Sequence, residues 1–166
     1  ESSRRILSEV KVSILRGNEA EVSVLGGFGG TIRGVDSVGG HHDKDVLARE
    51  TAKRLGCTVA VTGPVDYVSD GERLALVRNG HPMLRHVTGT GCMATSVVAA
   101  FAAVESDSVL AAASALGYYG YAAEQAAARS HGPGTFLAAL FDCLFNMTPD
   151  QLAEGLKVEM QPGCRG

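Results

Sequence analysis

The clearest chemical motif in the sequence is a glycine loop, Thr88-Gly89-Thr90-Gly91-Cys92, directly before an apolar helix predicted to start near Met93. Glycine has no Cβ, so a phosphate group can approach the backbone closely. The first N–H groups of a helix, with the positive end of its dipole behind them, attract negative charge. Residues Gly89, Thr90, Gly91 and Cys92 are therefore predicted to form an anion hole for a phosphate. A plain glycine turn into the helix is the alternative.

A second candidate site is the run Arg16-Gly17-Asn18-Glu19-Ala20-Glu21, which follows a short apolar segment. It offers a guanidinium, an amide and carboxylates at the end of a predicted strand, where open α/β sheets bind ligands. Asn18 and Glu21 can face the same side of a helix's first turn, which suits a Mg²⁺ ion held through water. Taken alone, the same two residues favour a different interpretation, a helix N-cap with a capping-box carboxylate.

Hydrophobic patterning and turn residues predict the elements that would hold these motifs. The β-branched run at residues 58–62 does not alternate, which is typical of a strand buried on both faces of a parallel sheet, and Thr62-Gly63 closes it. Before this strand, the sequence predicts a strand at 12–15 and a helix at 19–25 capped by Asn18. A further helix is predicted with Asp43 as its cap, Leu47, Thr51 and Leu55 on one face, and Gly56 at its end. After the strand, the predictions are a hairpin around Ser69-Asp70-Gly71-Glu72, a turn at Asn79-Gly80, and alanine-rich helices at 92–104, 108–130 and 135–145.

The composition indicates a single folded domain over residues 1–166. Hydrophobic residues make up 45% of the chain and charged residues 20%, a balance typical of globular proteins. The net charge of −3, with no basic stripe, argues against binding to nucleic acid or to an anionic membrane surface. The longest nearly uncharged run, residues 92–104, is shorter than the ~20 residues that a membrane-spanning helix needs.

Cysteine spacing predicts neither a zinc site nor a disulfide framework. The four cysteines show no Cys-x-x-Cys pair and no Cys/His ligand spacing, which favours a reducing cytoplasm as the location. The chain begins at Glu1 without an initiator Met, and no signal peptide is recognisable. We therefore expect a cytoplasmic fragment of a longer protein.

Six motifs follow one another along the chain: Ile14-Leu15-Arg16-Gly17-Asn18-Glu19-Ala20-Glu21, Arg33-Gly34-Val35-Asp36-Ser37, Val59-Ala60-Val61-Thr62-Gly63, Asn79-Gly80-His81, Thr88-Gly89-Thr90-Gly91-Cys92 and Gly132-Pro133-Gly134-Thr135-Phe136. In this order, and over nearly the whole chain, they resemble the hydroxyethylthiazole kinase family of the ribokinase-like superfamily. The superfamily usually ends its anion-hole motif in Asp, whereas this family ends it in Cys, the residue found at Cys92.

The resemblance implies an α/β, ribokinase-like fold with a mostly parallel central sheet flanked by helices, of which this chain is the C-terminal portion. It implies transfer of the γ-phosphate of ATP to the primary alcohol of 4-methyl-5-(2-hydroxyethyl)thiazole, a step of thiamine biosynthesis and salvage, with Mg²⁺ as cofactor. It also implies a homotrimer with shared active sites. A preceding part of the family's sequence is expected to supply further strands, most thiazole contacts and another acidic Mg²⁺ ligand.

The resemblance also assigns roles to six residues of this chain: Arg16 and Thr62 contact ATP, Gly89 lies against the substrate alcohol, Cys92 is at the catalytic position, and Glu21 with Asn18 organises Mg²⁺ through water.

Two alternative functions stay open on the sequence. Other ribokinase-like enzymes, such as a hydroxymethylpyrimidine kinase or an ATP-dependent nicotinamide-nucleotide-hydrate dehydratase, resemble this architecture but favour Asp where Cys92 stands. The other alternative is a catalytically inactive fragment that binds a nucleotide or a thiazole.

Overall fold

The computed structural model describes residues 2–28 and 41–161, without the side chains of 41–43. Its elements in chain order are α1 (Ser2–Glu9), β1 (Ile14–Asn18), α2 (Glu19–Leu25), α3 (His41–Leu55), β2 (Thr58–Thr62), β3 (Asp66–Ser69), β4 (Leu74–Val77), a 3₁₀ helix (Pro82–His86), α4 (Thr90–Ala102), α5 (Ser108–Ala128), α6 (Pro133–Asn146), α7 (Pro149–Gly155) and β5 (Val158–Gln161). The motif at residues 33–37 and the residue Cys164 lie outside the described residues.

The five strands form a sheet in the order β1-β2-β3-β4-β5. β1 pairs with β2 in parallel, from Ile14 opposite Thr58 to Asn18 opposite Thr62. β2 pairs with β3 in antiparallel orientation. The predicted α/β class is thus confirmed. The buried strand at 58–62 is confirmed too, with a parallel partner on one side only, and the two strands of the predicted hairpin are neighbours in the sheet.

The described chain divides into two compact units, one that runs to Leu76 and resumes at Met160, and one that spans Val77–Glu159. The core of the first unit is built from apolar side chains of its helices and strands: Val22, Leu47, Ala48, Ala52, Val59, Val61, Tyr67, Leu74 and Leu76. Full burial of a single Leu or Val side chain contributes about 1.5–3 kcal/mol, so this cluster stabilises the unit substantially.

The first strand lies further along the chain than the sequence predicts. The apolar run at 12–15 predicts a strand followed by a turn at Arg16, Gly17 and Asn18, yet all three residues belong to β1. The reason is the partner strand, since each of them stands opposite a residue of β2 and continues the parallel ladder. Backbone pairing overrides the local turn preference of Gly and Asn.

Helix boundaries also differ from the predictions. α3 begins at His41, so Asp43 lies within the helix and is not its N-cap. Of the predicted apolar face, Leu47 and Thr51 are fully buried and Leu55 is half-buried. Gly56 ends α3 as predicted, with a φ of 64° that favours glycine and an N–H that donates to the Ala52 carbonyl at 2.9 Å.

In the second unit two helices begin earlier than the sequence predicts. α4 begins at Thr90, so Thr90 and Gly91 belong to its first turn, together with Cys92, and not to the loop before it. α6 begins at Pro133, because proline is tolerated at the first helical position, where no intrahelical N–H bond is needed.

The core of the second unit is organised around α5, whose buried residues are mostly alanine and glycine. Small side chains allow other segments to approach the helix backbone closely. A Cβ placed on Gly120 would lie 2.6 Å from the backbone of Asn79, a distance that real contacts essentially never show. Among the residues that the structure describes, no helix is both long and apolar enough to cross a membrane.

Asn79, predicted only as part of a turn, is 5% exposed and forms a hydrogen-bond network. Its Nδ2 donates to the Gly155 carbonyl at 2.9 Å and to Glu124 Oε1 at 3.2 Å, and its Oδ1 accepts from the Lys157 N–H at 2.7 Å. A buried amide needs such partners because an unsatisfied one costs about 1–3 kcal/mol.

Candidate active site

In the first unit the parallel pairing of β1 and β2 brings Arg16 and Thr62 together. Arg16 Nη2 donates to Thr62 Oγ1 at 3.0 Å, and Thr62 Oγ1 donates to the Gly17 carbonyl at 3.2 Å. The hydroxyl therefore accepts one hydrogen bond and donates another, which fixes its orientation. The two residues expected to contact ATP thus lie side by side where both strands end, although they are 46 positions apart in the sequence.

Asn18 and Glu21 form the capping box that the sequence offered as the alternative to a Mg²⁺ site. Asn18 Oδ1 accepts from the Glu21 N–H at 2.9 Å, and Glu21 Oε2 accepts from the Asn18 N–H at 2.8 Å. The box caps the start of α2. Both residues are exposed, so capping leaves the carboxylate in contact with solvent.

The donor set at this site is compatible with a Mg²⁺ ion that keeps its water shell. No group of three or more His, Cys, Asp or Glu side chains able to hold a metal occurs within the described residues. Mg²⁺ does not require such a group, because it keeps several waters and is commonly bound through one or two carboxylates. Glu21 supplies a hard carboxylate oxygen, whereas Asn18 Oδ1 is already engaged by the backbone.

Asp66, which no motif of the sequence singles out, is buried within range of the charge of Arg16. It is 8% exposed, and its Oδ1 accepts a hydrogen bond from the Gly63 N–H at 2.8 Å, which closes the turn between β2 and β3. Burial raises the pKa of Asp66 to about 6, although the hydrogen bond from Gly63 and the positive charges of Arg16 and Lys44 act in the opposite direction. The only sequence signal for a role of Asp66 is its position, three residues after Gly63, which closes the buried strand.

The glycine loop belongs to the second unit and leads directly into α4. Gly89 is the N-cap, with a φ of 95° in the left-handed region that glycine adopts without strain. The helix then starts with Thr90, Gly91 and Cys92, and Cys92 is exposed. Backbone N–H groups in the first turn of a helix point away from its body, as the anion-hole prediction requires.

The side chain of Thr90 is turned inward. Thr90 is 8% exposed, and its Oγ1 lies 2.8 Å from the Leu84 carbonyl and 3.1 Å from the Val87 carbonyl, to which it donates. Any contribution of Thr90 to an anion hole therefore comes from its backbone.

The buried carboxyl of Asp66 should make stability depend on pH in a characteristic direction. Its pKa is about 6 in the folded state, against an ordinary value of 3.8. The native state thus binds more protons than the unfolded state between these values, so stability from this group is lost as the pH rises from 4 to 7. Asp66→Asn mimics the neutral form and lacks this pH dependence. Between pH 4 and pH 7 we therefore expect the difference in the free energy of unfolding, variant minus original protein, to increase by a value on the order of 2 kcal/mol.

Urea unfolding of both proteins at pH 4 and pH 7 measures this change, and Asp70→Asn is the control whose difference from the original protein should barely change over this range. Partial burial acts to raise the pKa of Asp70, but hydrogen bonds from Arg73 and Glu72 and the Arg73 charge outweigh it, so the pKa is lowered. Asp70→Asn should therefore be less stable than the original protein by nearly the same amount at pH 4 and at pH 7, because this carboxyl titrates below its ordinary pKa of 3.8. An Asp66→Asn curve parallel to that of the original protein would contradict the expectation.

Comparison with known proteins identifies the family to which this geometry belongs. The profile of the Hydroxyethylthiazole kinase family matches residues 1–150. The hydroxyethylthiazole kinase of Moorella thermoacetica is 50% identical over 159 residues, which are 96% of this chain and 60% of that protein. The hydroxyethylthiazole kinase of Thermoanaerobacter pseudethanolicus is 47% identical over 97% of this chain and 62% of its own length.

A solved structure agrees with the sequence comparisons. The hydroxyethylthiazole kinase protein of Pyrococcus horikoshii OT3 superimposes with a TM-score of 0.86 and 40% identity, covering 96% of this chain and 58% of that one. The chain thus spans about three fifths of the length of the curated relatives it matches. Its motifs, its fold and these matches agree: the chain belongs to the hydroxyethylthiazole kinase family.

Proposed function

We propose that the protein transfers the γ-phosphate of ATP to the primary alcohol of 4-methyl-5-(2-hydroxyethyl)thiazole. The observation that carries this proposal is the family match over residues 1–150, together with a relative of that name that is 50% identical over 96% of the chain. Phosphoryl transfer of this kind depends mainly on positioning and electrostatic stabilisation, because its loose transition state needs little help from a base.

ATP binding is assigned to Arg16 and Thr62. The guanidinium is a charged donor for phosphate oxygens, and its hydrogen bond to Thr62 Oγ1 holds it at the end of β1. Glu21, with Asn18 beside it, would hold Mg²⁺ through water, and the bound ion would neutralise charge on the transferring phosphate.

The glycine loop is assigned to the reacting groups. The backbone N–H groups at the start of α4 stabilise the charge that develops on the transferring phosphate. Gly89 has nothing within 4 Å of where a Cβ would stand, which leaves room for the substrate alcohol. Cys92, exposed in the same turn, is the catalytic side chain and accepts a hydrogen bond from the substrate hydroxyl.

The further properties proposed for this protein rest on family resemblance, composition, net charge and cysteine spacing. They are a homotrimeric assembly, a cytoplasmic location, a single domain over residues 1–166 that corresponds to the C-terminal portion of the family's domain, and no nucleic-acid or membrane partner. The chain spans about 60% of the length of its Moorella thermoacetica relative. This favours a second candidate function, binding of the nucleotide without turnover.

A kinase assay tests the proposed function. The chain is incubated with ATP, Mg²⁺ and the thiazole alcohol, the thiazole phosphate is detected by mass spectrometry, and the Moorella thermoacetica relative is the positive control. We expect thiazole-dependent release of ADP. Binding of a fluorescent ATP analogue without product would support the second candidate, and absence of both would overturn both assignments.

Glu21→Gln tests the assignment of Mg²⁺. The variant keeps the shape of the side chain and the acceptor oxygen of the capping box but removes the charge, so we expect it to need several-fold more Mg²⁺ for half-maximal turnover or half-maximal binding of the ATP analogue. Glu19→Gln removes a charge from the same helix turn, at a residue whose side chain takes no part in the capping box, and is the matched control. An Mg²⁺ titration that coincides with that of the original protein would assign Glu21 to helix capping alone.

Variants of Cys92 test whether its thiol does more than accept a hydrogen bond. We expect Cys92→Asp to retain turnover, because Asp is a stronger acceptor, and Cys92→Ala to be slower by about 10²-fold but still active, because the backbone amides remain. Cys57→Ala, at a half-buried thiol of the other unit, should not change turnover. A trapped phosphocysteine, or complete loss of activity in both Cys92 variants, would show that the thiol takes a part in the chemistry beyond accepting a hydrogen bond.

A further inference from the structure

Tyr119 is the one buried residue of α5 with a polar side-chain atom, and that atom contacts the start of α4. The residue is 4% exposed, while the other buried residues of α5 are alanines, glycines, Val109 and Leu116. Its hydroxyl donates to the Thr90 carbonyl at 2.9 Å in a buried hydrogen bond. A hydroxyl on an otherwise apolar helix face is costly unless it has a partner, so this bond is a specific feature of the packing.

Thr90 is held from two sides. Its carbonyl accepts the hydrogen bond of Tyr119, and its own hydroxyl donates to the carbonyls of Leu84 and Val87 in and after the 3₁₀ helix. Gly89, the residue before it, adopts a left-handed conformation with ample space around it. The Gly89 carbonyl accepts a hydrogen bond from the Met93 N–H at 2.9 Å, and the contacts of Thr90 hold the peptide unit that follows.

The rigid geometry of the peptide group connects Tyr119 to the anion hole. The Thr90 carbonyl and the Gly91 N–H belong to the same planar peptide unit and point in opposite directions. When the Tyr119 hydroxyl anchors the carbonyl on the buried side, it directs the Gly91 N–H towards the opposite side of the first turn of α4.

We propose that Tyr119 is a positioning residue for phosphoryl transfer: its hydroxyl fixes the peptide plane between Thr90 and Gly91 and thereby aims the Gly91 N–H at the transferring phosphate. The proposal rests on the function assigned above. It predicts an effect mainly on the transition state, where charge on the phosphate oxygens is greatest, and little effect on substrate binding.

The variant Tyr119→Phe keeps the buried ring and removes only the hydroxyl. We expect kcat to fall by about tenfold or more, with the KM values for ATP and the thiazole alcohol changed by less than about twofold, because a misaligned donor weakens transition-state binding. Tyr118→Phe is the matched control, since the neighbouring Tyr118 hydroxyl also donates to a backbone carbonyl, that of Leu144 on α6. It should lose similar thermal stability and keep kcat.

A second measurement does not require turnover. In ¹⁵N-labelled protein, inorganic phosphate should shift the amide resonance of Gly91, and the phosphate concentration needed should rise several-fold in Tyr119→Phe but not in Tyr118→Phe. If the original protein makes no thiazole phosphate, the proposed function fails and this titration alone decides the role of Tyr119. Unchanged kcat and phosphate affinity in Tyr119→Phe, equal kcat losses in both variants, or a Gly91 amide insensitive to phosphate would each overturn the proposal.

Discussion

The parallel pairing of β1 with β2 is the constraint on which the candidate site in the first unit depends. Because Asn18 stands opposite Thr62, both strands end at the same level of the sheet. The hydrogen bond from Arg16 to Thr62, the capped start of α2 and the bond from Gly63 to Asp66 all form just where this paired segment ends. A shift of the pairing by one residue would turn Arg16 to the other face of the sheet and separate it from Thr62.

In the second unit the corresponding constraint is the small size of the residues along α5. Gly120 lets the backbone of Asn79 lie directly against the helix, and the alanines allow similar approaches elsewhere. On such a surface a single large side chain can reach a defined target, as Tyr119 reaches Thr90. The glycine loop is thus oriented by packing that lies behind it, while its own residues stay small enough to admit a ligand.

Features that depend on residues close together in the sequence could be predicted for this protein. Features that depend on contacts between distant residues could not. The buried strand at 58–62 and the cap at Asn18 depend on neighbouring residues, and both predictions are confirmed. The predicted end of β1 was wrong because the strand is extended by pairing with β2, which lies about forty residues away in the sequence and leaves no local pattern in β1. Asp66 and Tyr119 were missed for the same reason: each is an ordinary residue until its partners are known. The roles of Cys92 and Gly89 follow from the family resemblance and stay predictions.

The extensive burial of α5 also determines how the second unit can exchange its backbone amide protons with solvent. Helix ends and exposed turns exchange through small local openings, whereas amides in a fully packed helix exchange only when the whole cooperative unit unfolds. Most of the α5 face from Ala111 to Ala126 is buried, and a local opening there would have to displace Asn79 and the segments packed on the glycines. The amide protons of α5 therefore report the global stability of their unit, while those of the exposed glycine loop report motions of the loop itself.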